Sequence, residues 1–168
     1  VFARKARLKE LMAGFGFLET INYSFISQEA SQAMRFPEHS RRAAPIEIRN
    51  PLASDQSVMR TSLIPGVLLT MRHNLSQQIK DMKLCEIGRV FWQKDGETLP
   101  REPDMMAALQ TGCGRPRSWS APARECDFYD LKGVCENLLG ALGAASFSFT
   151  ARPDELCAFT RPGHTARI

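Results

Sequence analysis

The 168-residue sequence predicts an α+β fold, a mostly antiparallel β-sheet flanked by helices. Three stretches repeat apolar side chains at helical spacing, around residues 8–15, 67–75 and 131–142. Several others alternate apolar and polar residues with the period of two that marks a strand with one covered face. The two kinds of segment do not follow the regular strand-helix-strand spacing of a parallel sheet, and short turns join several of the strands. No repeat, low-complexity stretch or internal boundary interrupts the chain, so residues 1–168 are expected to form a single domain.

In RKARLKELMAGF, residues 4–15, Leu8, Leu11, Met12 and Phe15 fall on one helical stripe opposite Arg4, Lys5, Lys9 and Glu10. Gly16 is the expected stop. In ETINYSFIS, Ile21, Tyr23 and Phe25 alternate with Thr20, Asn22 and Ser24, which predicts a strand burying one face. A short helix is expected over Ser27–Met34, followed by an exposed loop, PEHSRRAAP. Ile46–Ile48 reads as a strand ended by Asn50-Pro51, because the residue before a proline is pushed out of the helical region and proline brings no ladder donor. A helix beginning at Pro65 carries Val67, Leu68, Met71, Leu75 and Ile79 toward a sheet.

KLCEIGRVFW has apolar residues on both faces, Leu84, Val90 and Trp92 against Cys85, Ile87 and Phe91, as a central strand requires. Asp95-Gly96 signals a turn, LPREP a loop, and MMAALQTG another strand. From Phe128 an amphipathic helix places Leu131, Val134 or Cys135, Leu138 and Leu142 on one face. Asp127 or Asp130 can cap its start and Gly143 its end. SFSFT closes the pattern as a strand.

Composition narrows the function. With 43% apolar and 24% charged residues the chain has the balance of one soluble globular domain with a real core. A net charge of +4 and a pI near 9.0 are a mild basic bias, spread along the chain, compatible with an RNA-handling assembly but not diagnostic of one. The five cysteines contain no CxxC pair and the three histidines no HxxxH or HExxH pair, so neither a disulfide framework nor a metal site is indicated. No apolar run approaches the roughly 20 residues that cross a bilayer and no signal-like stretch opens the chain, so a cytoplasmic protein without a membrane partner is expected.

The motifs with a chemical reading are weak ones. GCGRPR, residues 112–117, lacks phosphate-loop spacing and reads as a tight turn with surface arginines. Glu125, Asp127, Asp130 and Glu136 sit where a helix N-terminus favours negative charge, which makes capping a better account than metal binding. Ser54, Ser57, Thr61 and Ser62 have no GxSxG elbow around them. Arg60 suits either a forked contact with a carboxylate or phosphate or a structural ion pair, and the sequence leaves both open.

Five segments, GFGFLETINYSF, NPLASDQSVMRTSLIPGVLLTMRHN, KLCEIGRVF, DFYDLKGVCENLL and RPGHTARI, resemble in order and content the core of the bacterial phenylalanyl-tRNA synthetase beta subunit. The resemblance runs from about residue 8 to the last residue. It implies a class II aminoacyl-tRNA synthetase-like core, a fragment of a larger beta subunit whose core continues beyond Ile168. It also implies a place in phenylalanine-tRNA ligase, a heterotetramer of two alpha and two beta chains that attaches phenylalanine to its tRNA using ATP and magnesium.

The class motifs look worn. The first, a helix and strand that build a subunit interface, is met by Gly16, Phe17, Glu19 and Thr20, with Tyr23 where its proline would fall. The second resembles EIGRVFR-x-E, whose arginine binds the ATP α-phosphate; here that position is Trp92 and the glutamate position is Lys94. An indole has one N–H and no charge, and cannot replace a bidentate guanidinium. The glycine-rich third motif is not found. The resemblance therefore implies a catalytically degenerate module, with no catalytic, ATP-binding or metal residue assigned in it, that assembles with a catalytic alpha subunit. The candidate partner interface is Leu8, Leu11, Met12, Phe15, Phe17, Glu19 and Thr20. An RNA-binding module contacting tRNA, through the arginines of segments 35–42 and 115–124, is the alternative.

Overall fold

The computed structural model describes residues 2–94, 96–115, 117–151, 158–161 and 164–168. Its elements run α1 (Phe2–Gly14), β1 (Leu18–Glu19), β2 (Phe25–Ile26), α2 (Gln28–Gln32), a 3-10 turn (Ser54–Gln56), β3 (Val58–Met59) and α3 (Ile64–Ser76). The second half adds β4 (Met82–Arg89), β5 (Asp104–Thr111), β6 (Cys113–Arg115), β7 (Arg124–Glu125), α4 (Phe128–Ala141), β8 (Thr150–Ala151) and β9 (Ala166–Arg167). The class is α+β, with β2–β3, β6–β7 and β8–β9 antiparallel and β1–β4 parallel. The chain divides into two compact units: residues 1–20, 67–87 and 107–147 form one, and residues 21–66, 88–106 and 148–168 the other.

In the first unit, α1 ends as its glycine demands. Gly16 adopts φ +82°, its N–H donates to the Ala13 carbonyl at 2.9 Å, and the Phe17 N–H reaches back to Met12 at 3.0 Å. This is a Schellman stop, in which the left-handed residue costs glycine nothing. It returns the chain with Met12 and Phe17 both buried, 0% and 3% exposed. β1 then pairs with β4, Leu18 opposite Leu84 and Glu19 opposite Cys85. β4 lies between β1 and β5, the central place its two-sided apolar pattern predicts. Against it pack Val67 and Met71 of α3 and Ala107 and Leu109 of β5, around the buried Met82 and Leu84. Each fully buried side chain of this size contributes about 1.5–3 kcal/mol.

Within the same unit, Gly112 stands at φ +80° so close to the Lys80 carbonyl, 2.6 Å from where a Cβ would sit, that no side chain fits. The Cys113 N–H donates to Asp81 Oδ1 at 2.8 Å and starts β6. GCGRPR is thus a strand start rather than a simple turn, because Cys113–Arg115 finds a partner in β7; its Pro116 lies outside the described residues. At α4 both predicted caps act together. Asp127 accepts from the Tyr129 and Asp130 N–H groups, and Asp130 accepts from the Asp127 N–H at 2.8 Å. Gly143, at φ +81°, closes the helix with a second Schellman pair.

In the second unit, Phe25 pairs with Met59 and Ile26 with Val58, and Ser27 caps α2 through the Ala30 N–H. Three strand expectations shorten here. ETINYSFIS is not one strand but two fragments, β1 and β2, each pairing with a different partner, and residues 20–24 between them have no regular structure. Its presumed buried face is outside, with Ile21 90% and Tyr23 74% exposed. Ile46–Ile48 is reduced to an isolated bridge, Glu47 opposite Val58, and SFSFT to Thr150 of β8. In the first unit, α3 closes at Ser76, so Ile79 lies beyond it and exposed. Asp95 of the predicted Asp95-Gly96 turn lies outside the described residues, while Gly96 takes the positive φ a turn needs.

Candidate functional sites

The segment resembling the second class motif is the natural first place to look for chemistry. It holds a dense set of cationic and aromatic groups in the second unit, already engaged by the fold. Trp92 donates its indole N–H to the Thr61 carbonyl at 3.0 Å, and the Arg101 guanidinium lies 5.8 Å above its ring. Main-chain bonds from Trp92 to Arg101, in both directions, hold the ring in place. Arg89 pairs with Glu102 at 2.9 Å, and Lys94 with Glu97 at 2.6 Å.

Arg60 decides the question the sequence left open about its forked group. It is 5% exposed and donates from Nε to the Arg89 carbonyl at 2.9 Å and from Nη1 to the Asn22 carbonyl at 3.3 Å. Its guanidinium fastens three chain segments through their backbone. A buried cation satisfied by main-chain carbonyls in this way is a structural device, because its charge would otherwise be buried unpaired. Thr61 is equally anchored, its hydroxyl donating to the Arg42 carbonyl at 2.8 Å, and the Ser62 hydroxyl accepts from the Ile64 N–H at 3.3 Å. None of these groups is arranged as nucleophile and base.

These residues do not fit an ATP phosphate. The position that would supply a forked cation supplies an indole whose single N–H is already bonded, and Lys94 offers the wrong sign where a carboxylate would stand. Beside them a cleft of about 370 Å³, lined by Pro45, Ile46, Gln93 and Leu99 among others, carries its charges as the Lys94–Glu97 pair. Burial pushes the Cys85, Cys126 and Cys135 thiols up from their ordinary value, and at Cys85 the Glu19 carboxylate adds to it. A protonated thiol is a poor nucleophile. Among the described residues no group of three or more His, Cys, Asp or Glu is placed to hold a metal ion, and no helix is long and apolar enough to cross a membrane.

The seven interface candidates separate by burial. Met12 and Phe17 belong to the core; Leu8, Leu11, Phe15 and Thr20 are half-buried, and Glu19 is exposed. Glu19 is ion-paired to Lys9 at 2.5 Å, and Thr20 bonds the Cys85 carbonyl through its N–H and its hydroxyl. Sequence reasoning placed Ile21 and Tyr23 inside, yet they carry the outward apolar surface of this segment. The available signal was Tyr23 itself, standing where the motif resembled has a proline, a residue that brings no ladder donor.

Comparison with known proteins is consistent with this geometry. The family model of the phenylalanyl tRNA synthetase beta chain CLM domain matches residues 2–168. The phenylalanine-tRNA ligase beta subunits of Geobacter sulfurreducens and Syntrophus aciditrophicus are 39% and 40% identical over 96% of this chain. The chain spans about a fifth of the length of these relatives, 20% in each case. Two solved structures of pyrrolysyl-tRNA synthetase from Desulfitobacterium hafniense superpose with TM-scores of 0.60 and 0.61 at 18% identity. They cover 88% of this chain and 48% and 50% of theirs, a likeness of fold alone. With the fold, the ordered motifs and the match over residues 2–168 in agreement, the chain belongs to the phenylalanyl tRNA synthetase beta chain CLM domain family and has a class II synthetase-like fold.

Proposed function

We propose that this chain is a non-catalytic structural module of a phenylalanine-tRNA ligase beta subunit, and that its work is assembly with the catalytic alpha subunit. In this reading alpha activates phenylalanine with ATP and magnesium and transfers it to tRNA, within a cytoplasmic heterotetramer of two alpha and two beta chains. Residues 1–168 act as one core domain of a longer subunit. Each compact unit is assembled from three separated stretches of chain, so no single cut of the chain divides the two, which supports that reading.

Trp92 carries the proposal. An adenylating site needs a positive, forked donor where negative charge develops, and the indole here is neutral and bonded to Thr61. For the partner, the argument is the surface left over once the core is filled. Leu8, Leu11, Phe15, Glu19 and Thr20 remain at or near the surface of the first unit, and Ile21 and Tyr23 project from the second. Large apolar side chains mostly in water, as Ile21 and Tyr23 are, favour a surface of their unit that a partner covers.

Co-expression of the chain with a cognate alpha subunit, followed by size-exclusion chromatography with light scattering, tests the reading. A mixed complex is expected, together with no phenylalanine-dependent ATP–pyrophosphate exchange by this chain alone. Elution of the two chains separately would overturn the assembly role. Exchange by the chain alone would overturn the non-catalytic one.

A further inference from the structure

The loop joining β6 to β7 exposes a feature that scaffolding does not require. Trp119 is 100% exposed at its tip. The loop around it is built: the Ser118 N–H donates to the Ala121 carbonyl at 2.9 Å, and the Ser118 and Ser120 hydroxyls bond at 3.1 Å. At its base Arg124 bridges Asp127 at 3.0 Å and Asp130 at 2.6 Å, joining the hairpin to the cap of α4. The guanidinium groups of Arg115 and Arg117, both exposed residues, make no hydrogen bond or ion pair with a described residue. Residues 117–123 wall a shallow depression of about 540 Å³, enough for one nucleotide.

We propose that this loop binds an unpaired stretch of RNA, a base stacking on the Trp119 indole while Arg115 and Arg117 meet the flanking phosphates. An exposed aromatic beside free cations is the combination that single-stranded nucleic acid uses, because every base offers a π face and every linkage a negative charge. A protein partner fits less well. With Arg124 neutralised by Asp127 and Asp130, segment 115–125 still offers Arg115 and Arg117 against one carboxylate, Glu125, and has no Leu, Ile, Val, Met or Phe to build the apolar ring that shields a protein hot spot from water. The inference rests on the reading above, in which the chain serves an RNA-handling ligase, and deepens it by giving the module its own contact with that substrate class.

The test uses the whole chain and a fluorescein-labelled unstructured RNA of about 12 nucleotides, a length within the span a small nucleic-acid groove covers. Binding should quench Trp119 emission, and the Trp119→Ala variant should weaken it about tenfold or more. The wild-type affinity should fall with salt with a log–log slope of about −1.4 from two phosphate contacts, and the Arg115→Gln/Arg117→Gln variant should lose that slope. A self-complementary duplex should bind more weakly than the unpaired strand. All three substituted side chains are solvent-facing, so unchanged melting curves will certify the fold. RNA binding that Trp119→Ala leaves intact, or no binding at low salt, overturns the proposal. So does a Trp119→Ala variant that loses the alpha subunit while keeping RNA, which would make the loop a protein contact. Failure of alpha assembly in wild type, with RNA binding retained, would instead count against the assembly reading alone.

Discussion

A carboxylate placed at Ile21 or Tyr23 should separate folding from assembly. Both side chains stand mostly in water, so Ile21→Asp and Tyr23→Asp remove little native packing and should change stability by less than about 0.5 kcal/mol. If the partner covers this surface, each variant loses the burial of a large apolar group, about 1.5–3 kcal/mol, and leaves a charge to be desolvated unpaired, about 2–5 kcal/mol more. Even the low end of the combined loss, about 3.5 kcal/mol, weakens the complex about 300-fold, at 1.4 kcal/mol per decade. Met12→Ala is the opposite perturbation. Met12 is fully buried, and its truncation should cost about 3 kcal/mol and lower Tm by about 6–12 °C. Calorimetry on the chain alone and light scattering with alpha read the two effects separately. The reasoning fails if both surface variants still bind alpha like wild type, or if Met12→Ala melts unchanged.

Three further outcomes are expected. Hydrogen bonds from Arg124, then from the Asp127 backbone, hold the Asp130 carboxyl below its ordinary value of 3.8, so its contribution is present above that pH and lost as pH falls through the folded value. Wild type should therefore melt above Asp130→Asn at pH 7, with the gap closing in strong acid; a gap that persists there contradicts the linkage. Gln78 ends α3 at φ +65°, with its N–H bonded to Leu75 and that of Ile79 to Asn74, each at 3.0 Å. It occupies a glycine's place, and Gln78→Gly should raise stability by about 0.5–1 kcal/mol in urea titration. Cys85 should resist iodoacetamide in the native chain and react once unfolded, and rapid native labelling would show that its strand opens.

The helices were legible because their signals are local. Leu8 to Phe15 repeat on one stripe, Gly16 and Gly143 stand where left-handed stops fall, and the Asp127/Asp130 box is written three residues apart. The two-faced apolar character of β4 likewise identified the sheet's centre. What misled was the period of two in residues 20–25. Alternation assigns two faces but does not say which one is covered, and here the chain leaves β1 after Glu19 to pair elsewhere, turning Ile21 and Tyr23 outward. Short strands such as β8 and β9 depend on partners distant in sequence, which no local window contains. Gln78 was illegible because the local backbone bonds that close the helix hold a left-handed glutamine that propensity would not choose.

At position 92, where the motif resembled has a phosphate-binding arginine, an indole is held by the fold. An arginine serving a phosphate must keep its fork directed at an open cavity, which leaves a charged group only partly satisfied when no ligand is bound. The indole here turns that position to internal use: its N–H closes on Thr61, its face receives Arg101, and Arg60 ties Arg89 to Asn22 close by. A Trp92→Arg change would remove the two contacts that the indole itself makes. A guanidinium at position 92 would face Arg101 across a gap filled by a π surface and would leave the Thr61 carbonyl to find another donor, so an arginine there works against the packing around the indole.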